Sequence, residues 1–264
     1  MPTFRMTVAY DGSDFLGWQR QPGRRTIQGE LEKIISQIVA QPIQCVGSGR
    51  TDAGVHALGQ VVSFQAKTTI PCDLLCKAIN SQLPDDLFVF EVQEAHPLFR
   101  ALQDARRKRY RYVIEDGRVR DIFDRRYLWP MWQRLDVAAM QEAAKGLVGT
   151  HDFMTYQSRG SMRLTTVRTI HDLTVERRTE FRTERIFIEV EADGFLYNMV
   201  RNIAGTLAQV GLGKQSISWP LEIIAARDRR LAGETAPAQG LTLVYVVYDD
   251  LPNAEVNPDA DEDE

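Results

Sequence analysis

GSGRTDAGVHALGQ, residues 47–60, holds four glycines and three ionisable side chains, Arg50, Asp52 and His56. So many glycines deny the run a regular helix and let the backbone be approached closely. On its far side GQVVSFQA (59–66) reads as a strand, and a short strand is expected near 43–47. Further upstream TFRMTVAY (3–10) alternates Phe4, Met6, Val8 and Tyr10 against polar neighbours, the period of a half-buried strand. Thr26 stands where it can cap a helix with Ile27, Leu31, Ile34, Ile35 and Ile38 on one face. Downstream, Leu74, Leu75, Ala78 and Ile79 mark a helix that Pro84 closes, and LFVFEVQ (87–93) and RYRYVIED (109–116) follow as strands. Helices and strands mix without strict alternation. That pattern predicts an antiparallel α+β fold rather than a parallel sheet.

The rest of the chain is of the same kind. Val137, Met140, Ala144 and Leu147 mark a helix, and strands are expected near 166–176 and at RIFIEVEA (185–192). LYNMVRNIAGTLAQVG (196–211) reads as a helix ended by Gly211, and LTLVYVVY (241–248) as an apolar strand in the middle of a sheet. A strand ending in AYDGSDF (9–15) is faintly echoed by one ending in EADGF (191–195). The organisation expected is an N-terminal half at 1–104 with the glycine-rich loop, a C-terminal half at 105–248 and an acidic tail at 249–264.

The net charge of −4 conceals that tail, which holds eight acids and no Lys or Arg. Residues 1–248 carry 32 basic against 28 acidic side chains, a net of +4, which permits an RNA partner. The basic residues cluster in ARRKRYRY (105–112), where five of them surround two tyrosines, and in RQPGRR (20–25). No window of about 18 apolar residues predicts a membrane span, and the start MPTFRMTVAYDG lacks the pattern of a signal peptide. Cys45, Cys72 and Cys76 form no CxxC pair and read as reduced thiols of a cytoplasmic protein. The four histidines are scattered, so no metal is expected.

Three segments carry candidate chemistry. In the glycine-rich loop Asp52 either bonds its own backbone in a tight turn or serves as a carboxylate nucleophile. Arg50 would keep it ionised or bind a phosphate. In KRYRYVI, Tyr110 and Tyr112 share one face of a strand, which suits either an aromatic core or a base-stacking platform with arginines behind it. In FLYNMVRNI, Arg201 follows the buried stripe closely and so needs a partner or a solvated cleft.

Taken together, YDGSDFLGWQRQP, GRTDAGVHALGQV, KRYRY, DGFLYNMVRNI and QGLTLV resemble the tRNA pseudouridine synthases of the TruA type, in order from about residue 4 to about 248. GRTDAGVHA is the specific element. The resemblance implies that Asp52 is the catalytic aspartate and that Tyr110 stacks on the target base and helps deprotonate C5. It implies that Arg201 pairs with the aspartate, that Leu241 packs beneath the site and that Arg50 helps hold a flipped nucleotide. It implies two similar halves whose antiparallel sheets join across a central catalytic cleft, a homodimer, and action without cofactor or metal on uridines 38, 39 and 40 in the anticodon arm of tRNA. No DNA or membrane partner is implied. The segment FRALQDARRKRYRY departs from the pattern: Leu102 and Gln103 stand where the family shows Arg and an aromatic residue. On an extended segment Arg100 would face the same side.

The chemistry so implied breaks the N1–C1′ bond of uridine and forms a C5–C1′ bond. The uracil must leave its stack, at a cost of a few kcal/mol, because no side chain reaches C1′ inside a helix. An ionised Asp52 would then add to C1′ or C6, or take a sugar proton. The rival reading is a non-catalytic structured-RNA-binding protein, for which Asp52 is dispensable. A phosphodiester hydrolase would need a His pair or metal-binding carboxylates, and His56, His96, His151 and His171 stand in unrelated surroundings.

Overall fold

The computed structural model describes residues 1–249 apart from 159, 161–164 and 181–182. All but the first residue of the acidic tail expected at 249–264 therefore lies outside the described residues. In chain order the elements are β1 (Thr3–Tyr10), α1 (Ile27–Val39), β2 (Val46–Gly47), β3 (His56–Gln65), α2 (Cys72–Asn80), β4 (Leu87–Ala95), β5 (Ala105–Asp116), β6 (Trp129–Met131), α3 (Val137–Lys145), β7 (Gly149–Asp152), β8 (Val167–Glu180), β9 (Thr183–Ala192), α4 (Met199–Gly211), α5 (Trp219–Glu222) and β10 (Leu241–Tyr248). They form two compact units. Among the described residues one is Met1–Arg106 with 243–249, and the other is Arg107–Thr242. The expectation that 105–248 forms the second half is corrected at its end, because from Leu243 β10 belongs with the first unit as the neighbour of β3. Strand pairing is non-local, and position along the chain did not announce it.

In the first unit the strand order is β4-β1-β3-β10, with β2 on β3. β1 runs antiparallel to both β3 and β4. Its alternation puts Phe4, Met6, Val8 and Tyr10 inside, where Phe4 stacks on its cross-strand partner Phe64 at 5.3 Å. Ile27, Leu31, Ile34 and Ile35 of α1 close this core, and the Thr26 hydroxyl caps the helix by accepting from the Gly29 amide at 3.3 Å. On α2 only Leu75 and Ile79 are buried. Leu74, expected on the inner stripe, is half exposed, since one residue rotates the helix surface by about 100°. Between Val8 and Tyr10 the register of β1 against β3 slips by one residue, a bulge close to the glycine-rich loop.

The second unit contains antiparallel pairs β5·β9, β9·β8 and β8·β7, with β6 parallel to β5. The α+β class with antiparallel sheets is the one the sequence pattern predicts. Met140, Ala143 and Ala144 of α3 are buried, as are Tyr112 and Ile114 of β5 and Ile186, Ile188 and Val190 of β9. α4 is buried nearly all round, so its polar residues must be satisfied internally. Asn202 donates to the Tyr156 carbonyl at 2.7 Å and accepts from Arg229 and the Thr235 hydroxyl, both at 2.7 Å. Thr206 accepts from the Gly233 amide at 3.0 Å. These bonds tie the irregular chain 229–236 to α4.

Candidate active site

The loop that bears Asp52 is held at both ends and in the middle. At its base the Ser48 amide donates to the Val61 carbonyl at 2.8 Å, the Ser48 hydroxyl bonds to the Gln60 side chain, and Gln60 Nε2 donates to the Gly49 carbonyl at 2.7 Å. At its tip the Val55 amide donates to the Asp52 carbonyl at 3.1 Å, closing a four-residue turn whose third residue, Gly54, has φ +80°. Thr51 is buried between them. Its hydroxyl bonds to Tyr10 Oη at 2.8 Å, and its carbonyl accepts from the Trp18 amide at 2.9 Å. Burial pushes the Tyr10 phenol up to about 12 despite the hydrogen bonds from Thr51 and Gln60 that pull it down. It therefore stays neutral at physiological pH.

The clamp is YDGSDFLGW (10–18), a segment whose residue types alone point to no chemistry. Asp11 accepts from the Ser13 amide at 3.0 Å, and His56 Nδ1 lies 3.1 Å from Asp11 Oδ1 and accepts from the Gly12 amide at 3.1 Å. Two glycines permit the close approach. A Cβ at Gly12 would stand 2.0 Å from the Val55 carbonyl oxygen, and one at Gly17, where φ is +77°, 2.6 Å from the Thr51 carbonyl oxygen. Those glycines were the signal in the sequence. Around this fixed backbone Thr51 faces inward, Asp52 is half-buried, and Arg50 and Ala53 are exposed. The turn and the carboxylate are thus not alternatives. The turn uses the Asp52 carbonyl and sets the side chain at the protein surface.

The second unit places Tyr110, Arg201 and Leu241. Tyr110 is buried on β5 opposite Val190, with its ring edge-on to Phe195 at 5.0 Å. Tyr112 shares that face but is a core residue. It is fully buried, its phenol is pushed up by burial and donates to the Pro237 carbonyl at 2.8 Å. Arg201 sits in the first turn of α4. Its Nε donates to the Ala236 carbonyl at 2.7 Å, and its Nη1 to Asn198 Oδ1 at 2.8 Å. Asn198 adopts φ +60°, a left-handed conformation that asparagine tolerates. Leu241 is buried at the start of β10. The stretch 236–241 therefore supports Tyr112 and Arg201 and carries Leu241, while Arg50 and Asp52 share the clamped loop of the first unit.

The basic run differs from its sequence reading. On the face of β5 opposite the tyrosines, Arg107 pairs with Glu191 at 2.9 Å, Arg109 with Glu189 at 2.8 Å and Asp172 at 2.9 Å, and Arg111 with Glu189 at 2.8 Å. Burial would raise the Glu189 carboxyl, but the hydrogen bonds and charges of Arg109 and Arg111 outweigh it and hold the group below the usual carboxylate range. Arg106 pairs with Asp249 at 2.7 Å, Arg20 with Glu32 at 3.1 Å and Arg25 with Asp86 at 2.7 Å. Much of the basic charge that the sequence offered to RNA is spent on the fold. The extended segment expected around Arg100 is also corrected. The Asp104 amide donates to the Arg100 carbonyl at 3.0 Å and the Arg100 amide to Asp104 Oδ2 at 2.8 Å, which closes a turn there. No group of three or more His, Cys, Asp and Glu that could hold a metal ion occurs among the described residues, and no helix there is long and apolar enough to cross a membrane.

The chain matches the family model described as "tRNA pseudouridine synthase" over residues 6–102 and 143–249, which leaves out the stretch with Tyr110. It is 42% identical over 248 residues to tRNA pseudouridine synthase A of Thermoanaerobacter sp. (strain X514), covering 94% of this chain and 100% of the relative. It is 45% identical over 248 residues to tRNA pseudouridine synthase A of Brevibacillus brevis, with the same coverage. Among solved structures a Cbf5-Nop10-Gar1 complex is similar at a TM-score of 0.32 and 12% identity over 90% of this chain and 57% of that one, too low a score to add to the argument.

Proposed function

Because this chain belongs to the tRNA pseudouridine synthase family and converts uridine to pseudouridine in tRNA, we propose that Asp52 is its catalytic carboxylate and that its targets are uridines 38, 39 and 40 of the anticodon arm. The observation that carries this is the clamp around residues 48–56. A half-buried acid on a backbone fixed by Tyr10, Trp18 and His56 is pre-organised, so no ordering of the loop is left for the reaction step. Tyr110 stacks on the flipped uracil, Arg50 holds the nucleotide, Leu241 packs beneath it and Arg201 keeps the aspartate ionised. The motif match supports these roles, as do the local supports of Tyr110 on Phe195 and of Arg201 on Ala236 and Asn198. The homodimer and a cytoplasmic location belong to the same reading. Sedimentation at micromolar concentration showing only a 30 kDa species would contradict the dimer.

The chemical roles are specific. Flipping removes the uracil from its stack, and the carboxylate engages C1′, C6 or a sugar proton so that the glycosidic bond breaks. The base turns, C5 bonds to C1′, and the C5 hydrogen leaves to solvent. Tritium release from 5-tritiated uridine in tRNA therefore reports the reaction. Asp52→Asn keeps the shape and the turn carbonyl but removes nucleophile and base. It should bind tRNA near wild-type strength and release no tritium in a single turnover. Substantial release would take Asp52 out of the mechanism. Release by the wild-type chain, together with intact binding but no release by the variant, excludes the non-catalytic RNA-binding reading.

A further inference from the structure

The excursion that follows β5 and takes in β6, residues 117–132, distributes its side chains the wrong way round for an ordinary surface. Its two acids are turned onto one buried cation: Arg185 Nη2 lies 2.8 Å from Asp121 and 2.7 Å from Asp124, while its Nη1 takes Glu180 at 2.9 Å. The Asp121 amide donates to the buried Glu115 at 3.1 Å, and the Gly117 amide to the Met131 carbonyl at 3.0 Å, so the loop is built and not loose. Leu128 is buried, but four of its large apolar residues face outward instead. Phe123 is 83% exposed, Trp132 72%, Ile122 64% and Val119 61%. Arg118, Arg125 and Arg126 are exposed beside them, and the Arg120 guanidinium lies 4.6 Å from the Trp132 ring centre. A surface that ties its carboxylates to an internal cation and displays rings and arginines is made to be covered.

We propose that residues 117–132 dock the body of the tRNA, outside the anticodon loop. Charge decides the occupant. A second copy across a two-fold axis would bring Arg118, Arg125 and Arg126 against their own equivalents while Arg185 holds the local acids, and like charges at an interface are costly. RNA supplies phosphates for the arginines and base or ribose faces for Phe123 and Trp132. The excursion also replaces the contacts that β5 itself does not offer, since Arg107, Arg109 and Arg111 are bound within the sheet. Tyr110 and Gly117 are seven residues apart on and just past one strand, roughly 20 Å. This rests on the reading that the target uridine is held at Tyr110, and it places the excursion's contacts away from that nucleotide.

Two RNAs, full-length tRNA and a short anticodon stem-loop, test it. Phe123→Ala and Trp132→Ala should each weaken binding of the full-length tRNA about ten-fold, with no change in stem-loop binding, in tritium release from the stem-loop or in sedimentation. Phe123→Tyr should bind as wild type and Phe123→Leu should not, because only a ring stacks. Arg118→Ala should lower the salt slope of full-length binding by about one. Unchanged binding of full-length tRNA overturns the proposal, as do an equal loss on the stem-loop, a retained Phe123→Leu or an altered sedimentation coefficient; the last would make the surface a contact between copies of this chain. Loss of stem-loop turnover in Asp52→Asn is read separately, so the two readings fail independently.

Discussion

The loop 48–56 and the strand 105–116 both looked chemical in sequence, and they are held in opposite ways. The loop has few charges and is held mostly by neutral bonds: from Tyr10 to the Thr51 hydroxyl, from Trp18 and Gln60 to its backbone, and from the Gly12 amide to His56. The strand has many charges, and its side chains are tied across the sheet to Glu189, Glu191 and Asp172. Neutral bonds to the backbone fix geometry without altering the charge that the loop presents. Ion pairs fix a strand by using that charge. Clustered arginines are therefore poorer evidence of an RNA surface than a rigid, sparsely charged loop is of a catalytic one.

The largest expected effect breaks the clamp itself. Gly12→Ala puts a methyl 2.0 Å from the Val55 carbonyl oxygen, so either the loop or the turn at residues 11–14 must move. A displacement of about 1 Å at the reacting group can cost on the order of 100-fold in rate. Single-turnover tritium release should fall by that order while tRNA binding changes little. An unaltered rate would mean that the 11–17 segment does not position Asp52.

Next comes Tyr10→Phe, which removes the hydroxyl bonded to Thr51 at 2.8 Å and leaves the ring in place. The buried Thr51 hydroxyl loses that partner, which should cost about 1–2 kcal/mol of stability. The rate should drop roughly ten-fold by the same displacement argument on a smaller scale. Tyr10 has its phenol raised to about 12. It is protonated in the folded state up to that pH, so wild-type activity should show no loss from Tyr10 ionisation through neutral pH. A variant as active as wild type would leave the neutral bonds without a role in catalysis.

How much of this was legible follows from which forces are local. The alternation of Phe4, Met6, Val8 and Tyr10 and the Thr26 cap reach only a few residues, and both elements stand where the pattern predicts. β5 begins at Ala105 and β8 runs on to Glu180, beyond their apolar cores, because cross-strand ion pairs support charged ends that propensity disfavours. β6 has Pro130 at its centre, a residue that argues against a strand unless it lies at an edge. In the candidate site, Asp52 was legible as a motif. The 11–17 clamp was not, because a glycine needed for close approach looks like any glycine until the approaching backbone is known. The pairing of acids by Arg185 depends on residues some sixty positions away and left no trace in local composition.

Glu189→Gln tests the strand side of the comparison. Glu189 holds Arg109 and Arg111 together, and its side chain is largely buried. Its carboxyl is depressed in the folded protein. A depressed acid contributes stability that is present above its ordinary value, near 4.3, and is lost as pH falls through the lower folded value. The variant should therefore be less stable than wild type at neutral pH, by about 1–3 kcal/mol for a charged hydrogen-bonded group, and the gap should narrow as pH falls through the lowered folded value. Denaturant midpoints at pH 7 and pH 3 measure this. With one carboxylate fewer on that face, tRNA binding should be equal or tighter. Weaker binding would show that Glu189 orients Arg109 and Arg111 toward RNA, and the contrast between loop and strand would fail.

The smallest effect is expected from Arg107→Ala. Arg107 is the outermost rung of the ladder, with half its side chain in solvent and one bond, 2.9 Å to Glu191. Exposed pairs are worth little, about 0–1 kcal/mol, and Glu191 keeps Arg109 as a second cation 3.8 Å away. Stability should shift by less than about 0.5 kcal/mol. If the pair is purely internal, the salt slope of tRNA binding should also stay where it is, because no phosphate contact is lost. If Arg107 exchanges Glu191 for a phosphate when RNA arrives, the slope falls by about one unit while stability still holds. The measurement thus finds where the internally tied part of β5 ends. A steady slope in Arg107→Ala beside a lowered one in Arg118→Ala would place that limit between β5 and the excursion that follows it.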